Sequence, residues 1–232
     1  PAYSTLGYMN WAGGDPLLST FIGWPEGDFV RLLFHELAHQ VVYAKNDTLF
    51  NESFATAVER IGVAQWLATQ STPAAREAYA TSEARRSAFR ALTRATRTRL
   101  AAIYEQKELQ ALEDHALNAM KTEAMKAFRD DYAALRARWL EAPGGTPPRA
   151  TTAQVAGYDR WVAQANNASF AAQAAYDELV PAFEALFERE GRNWPRFYDA
   201  IRQLTQQPQP ERHEALRALL PDPQHLKETA GA

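Results

Sequence analysis

Two histidines and three glutamates lie close together in residues 34–59, "FHELAHQVVYAKNDTLFNESFATAVE". His35 and His39 are four residues apart, so in a helix they lie one turn apart on one face and can reach the same ion. A catalytic zinc ion keeps three protein ligands and one water. Glu36 directly follows His35, where its carboxylate can accept a proton from that water. The pattern H-E-x-x-H therefore predicts a zinc centre with Glu36 as general base.

Two acidic residues are alternatives for the third ligand. Glu52 follows the second histidine and opens the next predicted helix, and Glu59 lies two helical turns further along the same face. In one assignment Glu52 binds the metal and Glu59 accepts a hydrogen bond from a ligand histidine. In the other, Glu59 is the ligand and Glu52 is an acidic residue stabilised by the helix dipole.

The elements that must position these side chains are two helices. Apolar residues recur at helical spacing from Phe29 to Ala44, with Asp28 as the predicted N-cap. The segment "KNDT" breaks this helix, and a second helix is predicted from residue 51 to 69. Such a short link predicts an antiparallel helical hairpin. The motif lies in an apolar stretch, "LLFHELAHQVV", where buried polar groups need partners, and a metal supplies them.

The rest of the chain predicts a mainly α protein. Residues 73–141 have one proline and helical apolar spacing, which indicates two long helices paired as an antiparallel hairpin that turns near 108–114. The segment "APGGTPPRATT" is typical of a linker. The predicted divisions are a zinc-site core at 1–72 with a short strand near 2–6, the hairpin, the linker at 142–152, C-terminal helices at 153–204 and a polar tail at 205–232.

Composition narrows the class of protein. Of the 232 residues 46% are hydrophobic and 23% charged, which is ordinary for a globular chain. The chain has no cysteine, so any metal must be held by histidines and carboxylates. The net charge of −3 favours neither nucleic acid nor an anionic membrane as a partner, and no apolar run is long enough for a membrane span.

The segments "HELAHQ" and "FNESFATAVERIG" resemble the gluzincin metallopeptidases. The second resembles the "NEGFA…VE…G" motif of the M1-type aminopeptidases, where the glutamate after asparagine is the third zinc ligand. This resemblance implies a gluzincin-like helical core and points to Glu52, beside Asn51, as the ligand. The chain departs from that pattern in Ser53, which replaces glycine, in a shorter spacer, and in having no "GxMEN"-like segment before His35.

A closer resemblance is to the bacterial putative aminopeptidase family. It rests on "AYSTLG…DPLLST", on "FHELAHQ…DTLFNESFA…VE…G…WL", and on "YDRWVAQANNASFAAQAAYDELVPAF…FY", and extends to about Leu204. The family implies a zinc peptidase that acts on peptides. It also implies that this chain lacks an N-terminal portion with targeting signals, and so a bacterial cell-envelope location, periplasmic or lipid-anchored.

With the resemblance, His35, His39 and Glu52 are predicted to bind one Zn²⁺ per chain, and Glu36 to be the base. Glu59 is predicted to orient a ligand histidine, and Asn51 to support the ligands from the next layer of side chains. The competing role of Glu59 as ligand stays open.

The remaining candidates concern substrate. Gluzincins stabilise the oxyanion with a tyrosine or histidine from a later helix, which makes Tyr176 the first candidate and Tyr158 the second, although tyrosines more often pack in a core. Asn166 and Asn167 are predicted either to bind substrate backbone or to cap a break in a helix. Tyr3, Ser4 and Thr5 form a predicted edge strand that pairs with substrate or with a small sheet.

His115, His213 and His225 have no ligand-like neighbours in the sequence and are expected to be exposed. The alternative function is a helical interaction module in which residues 73–141 bind a protein partner and the zinc site is structural or vestigial.

Overall fold

A computed structural model describes residues 23–110, 113–141, 149–170 and 178–220 of the chain. These residues are mainly helical and include no strand, which confirms the predicted class. The predicted strand near residues 2–6 lies outside the described residues. None of the described helices is both long enough and apolar enough to cross a bilayer.

Eight helices have defined bounds, and residues 167–170 are also helical. The helices are α1 (Glu26–Val41), α2 (Thr48–Thr69), α3 (Pro73–Gln110), α4 (Asp114–Glu141), α5 (Thr152–Gln164), α6 (Val180–Arg189), α7 (Trp194–Thr205) and α8 (Gln209–Arg217). The chain forms two compact units, one of residues 1–76 with 175–232 and the other of residues 77–174.

The first unit is built around α2, which is buried along most of its first four turns. Phe50 and Phe54 of α2 pack against Phe183 of α6, with ring centroids 5.0 and 5.8 Å apart. Phe197 of α7 and Leu216 of α8 complete the same core and are fully buried. Each such side chain stabilises the fold by about 1.5–3 kcal/mol relative to its exposed form. The contacts in this core hold α2 in place against α6 and α7. Helix α1 packs against α2 as well, for example through Phe34 beside Gly62.

The boundaries of α1 and α2 differ from the predicted ones by about a turn at the N-terminus. Helix α1 begins at Glu26 with Pro25 as its N-cap residue, so the prediction that Asp28 caps it is wrong. Asp28 instead lies in the first turn, where the helix dipole favours an acidic residue. Helix α2 begins at Thr48, because Asp47 caps it by accepting the Phe50 amide at 3.1 Å.

The second unit contains the long hairpin of α3 and α4, together with α5. Its core combines aliphatic side chains with aromatic rings in edge-to-face or tilted contact, for example Phe128 against Phe170 at 5.1 Å. A capping box of Thr151 and Gln154 starts α5, since each side chain bonds the other residue's backbone amide. Tyr132 donates to Asp159 at 2.5 Å, and this bond joins α4 to α5.

Three C-terminal expectations differ from the structure. The predicted continuous helix after residue 153 is interrupted, because α5 ends at Gln164 and Asn166 then accepts the Ser169 amide at 3.1 Å. The segment expected to be a polar tail contains α8, which contributes Leu216 to the core. The expectation that His213 is exposed is wrong, because only 8% of that residue is accessible.

The two helix-interior glycines Gly62 and Gly157 give a matched test of the packing of α1 on α2. A Cβ added at Gly157 in α5 would meet nothing within 4 Å, whereas one at Gly62 in α2 would lie 3.0 Å from the Phe34 ring of α1. In a helix interior, alanine is more favourable than glycine by about 1 kcal/mol of folding free energy. We expect Gly157→Ala to raise the free energy of unfolding by about that amount. We expect Gly62→Ala to give no gain, because crowding typically costs about 1–3 kcal/mol. Urea denaturation compares the two variants, and equal gains would contradict the close contact.

Candidate metal centre

Three side chains from α1 and α2 converge in the first unit. His35 and His39 lie one turn apart on α1, and Glu52 lies just after the first turn of α2. One ligand atom from each residue can be chosen so that all three lie within 4.8 Å of one another. Within the part of the chain that the structure describes, these three side chains are placed so that they could hold a metal ion together.

The separations between these atoms suit a small divalent cation. His35 Nε2 lies 3.3 Å from Glu52 Oε2, and His39 Nε2 lies 3.9 Å from Glu52 Oε1. Ligand atoms placed tetrahedrally at 2.0–2.1 Å from zinc are about 3.3 Å apart. The first pair matches this spacing, and the second pair is about 0.6 Å longer. Two nitrogens and a carboxylate form a donor set that zinc binds well.

The second nitrogen of His35 is held by another acid. His35 Nδ1 lies 3.1 Å from Glu59 Oε2, and the other oxygen of Glu59 accepts a hydrogen bond from Arg31. If Nδ1–H donates to Glu59, the lone pair of Nε2 faces the carboxylate of Glu52. Two acceptor atoms 3.3 Å apart repel each other unless a proton or a cation lies between them.

His39 also leaves a ring nitrogen without a partner. Its Nδ1 is buried and has no hydrogen-bond partner among the described residues. Burial lowers the pKa of His39, so its neutral form is favoured. A neutral imidazole is the form that binds a metal.

The pKa of His35 is raised, in contrast to that of His39. Burial by itself would lower the pKa of His35, but the hydrogen bonds and negative charges of Glu52 and Glu59 outweigh it and raise that pKa to about 9. For Glu59, burial by itself would raise the pKa of the carboxyl group, but His35 and Arg31 hold that pKa below its usual range. In the metal-free protein, a proton on His35 thus relieves the repulsion between Nε2 and Glu52.

The link between α1 and α2 sets the register of the site. Asn51, which precedes Glu52, accepts the Ala44 amide and donates to the Ala44 carbonyl, both at 2.8 Å. Asn46 in this link has a positive φ of 61°, a conformation that asparagine tolerates better than most residues. The buried Asn51 side chain therefore closes the loop and fixes where α2 begins relative to α1.

Of the other site residues predicted from the sequence, Glu36 lies beside the metal-centre histidines, and the others lie in the second unit or outside the described residues. Glu36 follows His35 on α1 and is half-buried. Tyr158 packs between Phe89 and Trp139 in the core of the second unit, at 4.9 and 5.2 Å. The remaining candidates divide between the second unit, which holds Asn166 and Asn167, and the part of the chain outside the described residues, which holds Tyr3, Ser4, Thr5 and Tyr176.

Asn167 donates to the Tyr104 hydroxyl at 2.6 Å, while Asn166 caps the short helical segment that follows it. Both side chains thus have partners within their own unit.

Arg31 is a contributor that the sequence analysis missed. It stands four residues before His35, on the same face of α1, and its guanidinium bonds Glu59 at 2.5 Å. The i, i+4 spacing from Arg31 to His35 was a signal that could have identified it. Its positive charge keeps Glu59 ionised beside His35.

The fold and the site thus define a mainly helical protein with a candidate His–His–Glu metal centre. The chain belongs to the family described as "Putative aminopeptidase", whose model matches residues 1–216. Comparisons with curated proteins and with solved structures gave no match.

The pKa of His35 predicts how metal binding depends on pH. Below about pH 9 the metal-free protein carries a proton on His35, and a metal must displace it, whereas His39 is already neutral near pH 7. We expect zinc affinity to rise about tenfold per pH unit between pH 7 and 8.5, with release of about one proton per ion. Calorimetry in buffers of different ionisation enthalpy measures that proton.

The control for this prediction is Glu59→Gln. Removing one of the two negative charges beside His35 lowers its pKa, so fewer protons should be released at pH 8. Metal binding by the unaltered protein without proton release at pH 7.5 would contradict the proposed state of His35.

Proposed function

We propose that the protein is a zinc-dependent metallopeptidase that hydrolyses peptide bonds, with an aminopeptidase as the favoured type. The convergence of His35, His39 and Glu52 carries this proposal. These three residues would hold one zinc ion. When bound, zinc polarises a carbonyl oxygen and makes a bound water more acidic. Membership of the putative aminopeptidase family supports a peptide substrate and the aminopeptidase type.

Glu36 is the proposed general base. It lies on α1 next to His35, 100° further round the helix, so it neighbours the two histidines without sharing their face. Its carboxylate can accept a proton from the attacking water and then deliver that proton to the leaving amine. Its half-buried position limits competing solvent, which strengthens its interaction with the reacting groups.

Glu59 and Arg31 act on the orientation of His35 in this proposal. The Glu59 carboxylate accepts the hydrogen bond from His35 Nδ1, which leaves Nε2 free to donate its lone pair. Arg31 keeps that carboxylate charged and in place. Side chains that support a ligand in this way typically contribute 10–100-fold to metal affinity or activity.

The number of protein ligands argues against a purely structural metal site. A structural zinc site is closed by four protein ligands, whereas a catalytic one has three and leaves a position for water. The candidate group among the described residues has three members. This count favours catalysis over an interaction module whose zinc only stabilises the fold.

Glu36→Gln separates metal binding from catalysis. The amide cannot accept the proton, so we expect hydrolysis to fall at least about 100-fold while zinc content stays at one ion per chain. His39→Ala should instead lose both, because it removes a ligand. Elemental analysis and cleavage of free-amine peptides measure the two properties, with N-terminally blocked peptides testing the aminopeptidase type. A fully active Glu36→Gln enzyme would exclude Glu36 as the base.

Glu52 and Glu59 are proposed to have different roles, which metal affinity distinguishes. We expect Glu52→Ala to abolish stoichiometric zinc binding, because it removes a ligand. Glu59→Gln should weaken binding by about 10–100-fold and retain the site, since an amide oxygen still accepts from His35 Nδ1. Competition with a chelator of known affinity measures both. The reverse order of effects would support Glu59 as the ligand.

A further inference from the structure

A buried ionic cluster joins α8 to the link between α1 and α2. Arg212 Nη1 donates to Asp47 Oδ2 at 2.8 Å, and His213 Nε2 lies 3.0 and 2.9 Å from the two oxygens of Asp47. The Asp47 side chain is 1% exposed, that of Arg212 7% and that of His213 10%. Charges removed from water to this extent are tolerated only when they are closely paired, so the three groups hold one another in place.

Asp47 is also part of the structure that leads to Glu52. Its side chain accepts the Phe50 amide at 3.1 Å, and its carbonyl accepts the Asn51 amide at 3.0 Å. The Arg212 guanidinium lies over the Phe50 ring, 5.1 Å from its centroid. The first turn of α2, which includes Phe50 and Asn51, is thus bonded to Asp47, and the metal-ligand candidate Glu52 is the next residue along the helix.

Helix α8 itself is anchored in the core. Leu216 is fully buried in the same cluster as Phe50 and Phe183. A second bond from Arg212, to the Gln207 carbonyl at 3.0 Å, holds its side chain against the turn before α8. The cluster therefore transmits the position of the C-terminal core to the first turn of α2, which is more than 160 residues away in sequence.

We propose that Asp47, Arg212 and His213 are positioning residues that hold Glu52 in register with His35 and His39. The proposal rests on the metal site proposed above. Without the bonds from Arg212 and His213, Asp47 still caps α2, but its attachment to α8 is reduced to a long hydrogen bond from Gln209 at 3.4 Å. Because Glu52 must lie within about 2 Å of an ion shared with both histidines, a small displacement of this turn weakens binding.

Zinc affinity of the purified full chain tests this role, measured by chelator competition well below the melting temperature. We expect Arg212→Gln and Asp47→Asn to weaken zinc binding by about 10–100-fold. Arg212→Lys should retain part of the affinity, because it keeps a charge beside Asp47 but loses the fork that also reaches Gln207. The visible spectrum of bound Co²⁺, which depends on coordination geometry, should change in Arg212→Gln.

Two controls separate positioning from general destabilisation. Arg217→Gln removes a charge from the same helix, but the partner of Arg217 is the exposed Glu178. Ile201→Ala leaves a cavity in the α7 part of the core and lowers the melting temperature. Both should change the zinc dissociation constant of the folded protein by less than about threefold, since neither touches Asp47.

The outcomes distinguish this proposal from the one on which it depends. If the unaltered chain binds zinc and Arg212→Gln binds it equally well, the positioning role is excluded and the metal site stands. If the unaltered chain binds no zinc, the metal site and the positioning role are both excluded. Should Asp47→Asn not fold, Arg212→Lys and His213→Gln decide the matter by the same measurement. A loss of affinity as large in Ile201→Ala as in Arg212→Gln would also exclude a specific role.

Discussion

The site depends on the repulsion between two acceptor groups that the fold brings face to face. Glu59 orients His35 so that its Nε2 lone pair points at Glu52, 3.3 Å away. In water an imidazole lone pair and a carboxylate would move apart. Here the packing of α1 on the buried helix α2 holds His35 and Glu52 close together. The protein therefore requires a positive species between them, either a proton or a metal ion. This requirement explains why His35 holds its proton strongly and why a metal ion is a suitable replacement for it.

The two histidines of the candidate metal centre differ in protonation. His35 is surrounded by two carboxylates and is charged in the metal-free protein, whereas burial keeps His39 neutral. In the proposed site, His39 would bind a metal ion directly, whereas His35 would first have to lose a proton. Negative charge around His35 has two consequences, because it raises the cost of removing the proton and also increases the attraction for a divalent cation. The balance between these effects is set by Glu59 and Arg31, which do not belong to the triad.

Local patterns in the sequence were sufficient for part of this structure. The four-residue spacing of His35 and His39 predicted their shared face, because helix geometry alone determines it. The choice between Glu52 and Glu59 could not be made from spacing, since both lie on one face two turns apart. It depends on how far the hairpin loop extends, which Asn51 and Asp47 set through bonds to backbone. The roles of Glu36 and Tyr176 stay predictions.

The C-terminal helix illustrates why long-range contacts escape such an analysis. The segment from residue 205 is polar and rich in proline, which predicted a tail, yet Arg212 and His213 are buried because Asp47 offsets the charge of Arg212 and is within hydrogen-bond distance of His213. Nothing near Arg212 in sequence reveals a partner more than 160 positions away. A polar residue in a short amphipathic helix is buried only when the core provides a group of opposite charge or a hydrogen-bond partner for it. The residue that offsets the charge of Arg212 is also the N-cap of α2, so the part of the sequence that looked least structured is bonded to the start of the helix that carries Glu52.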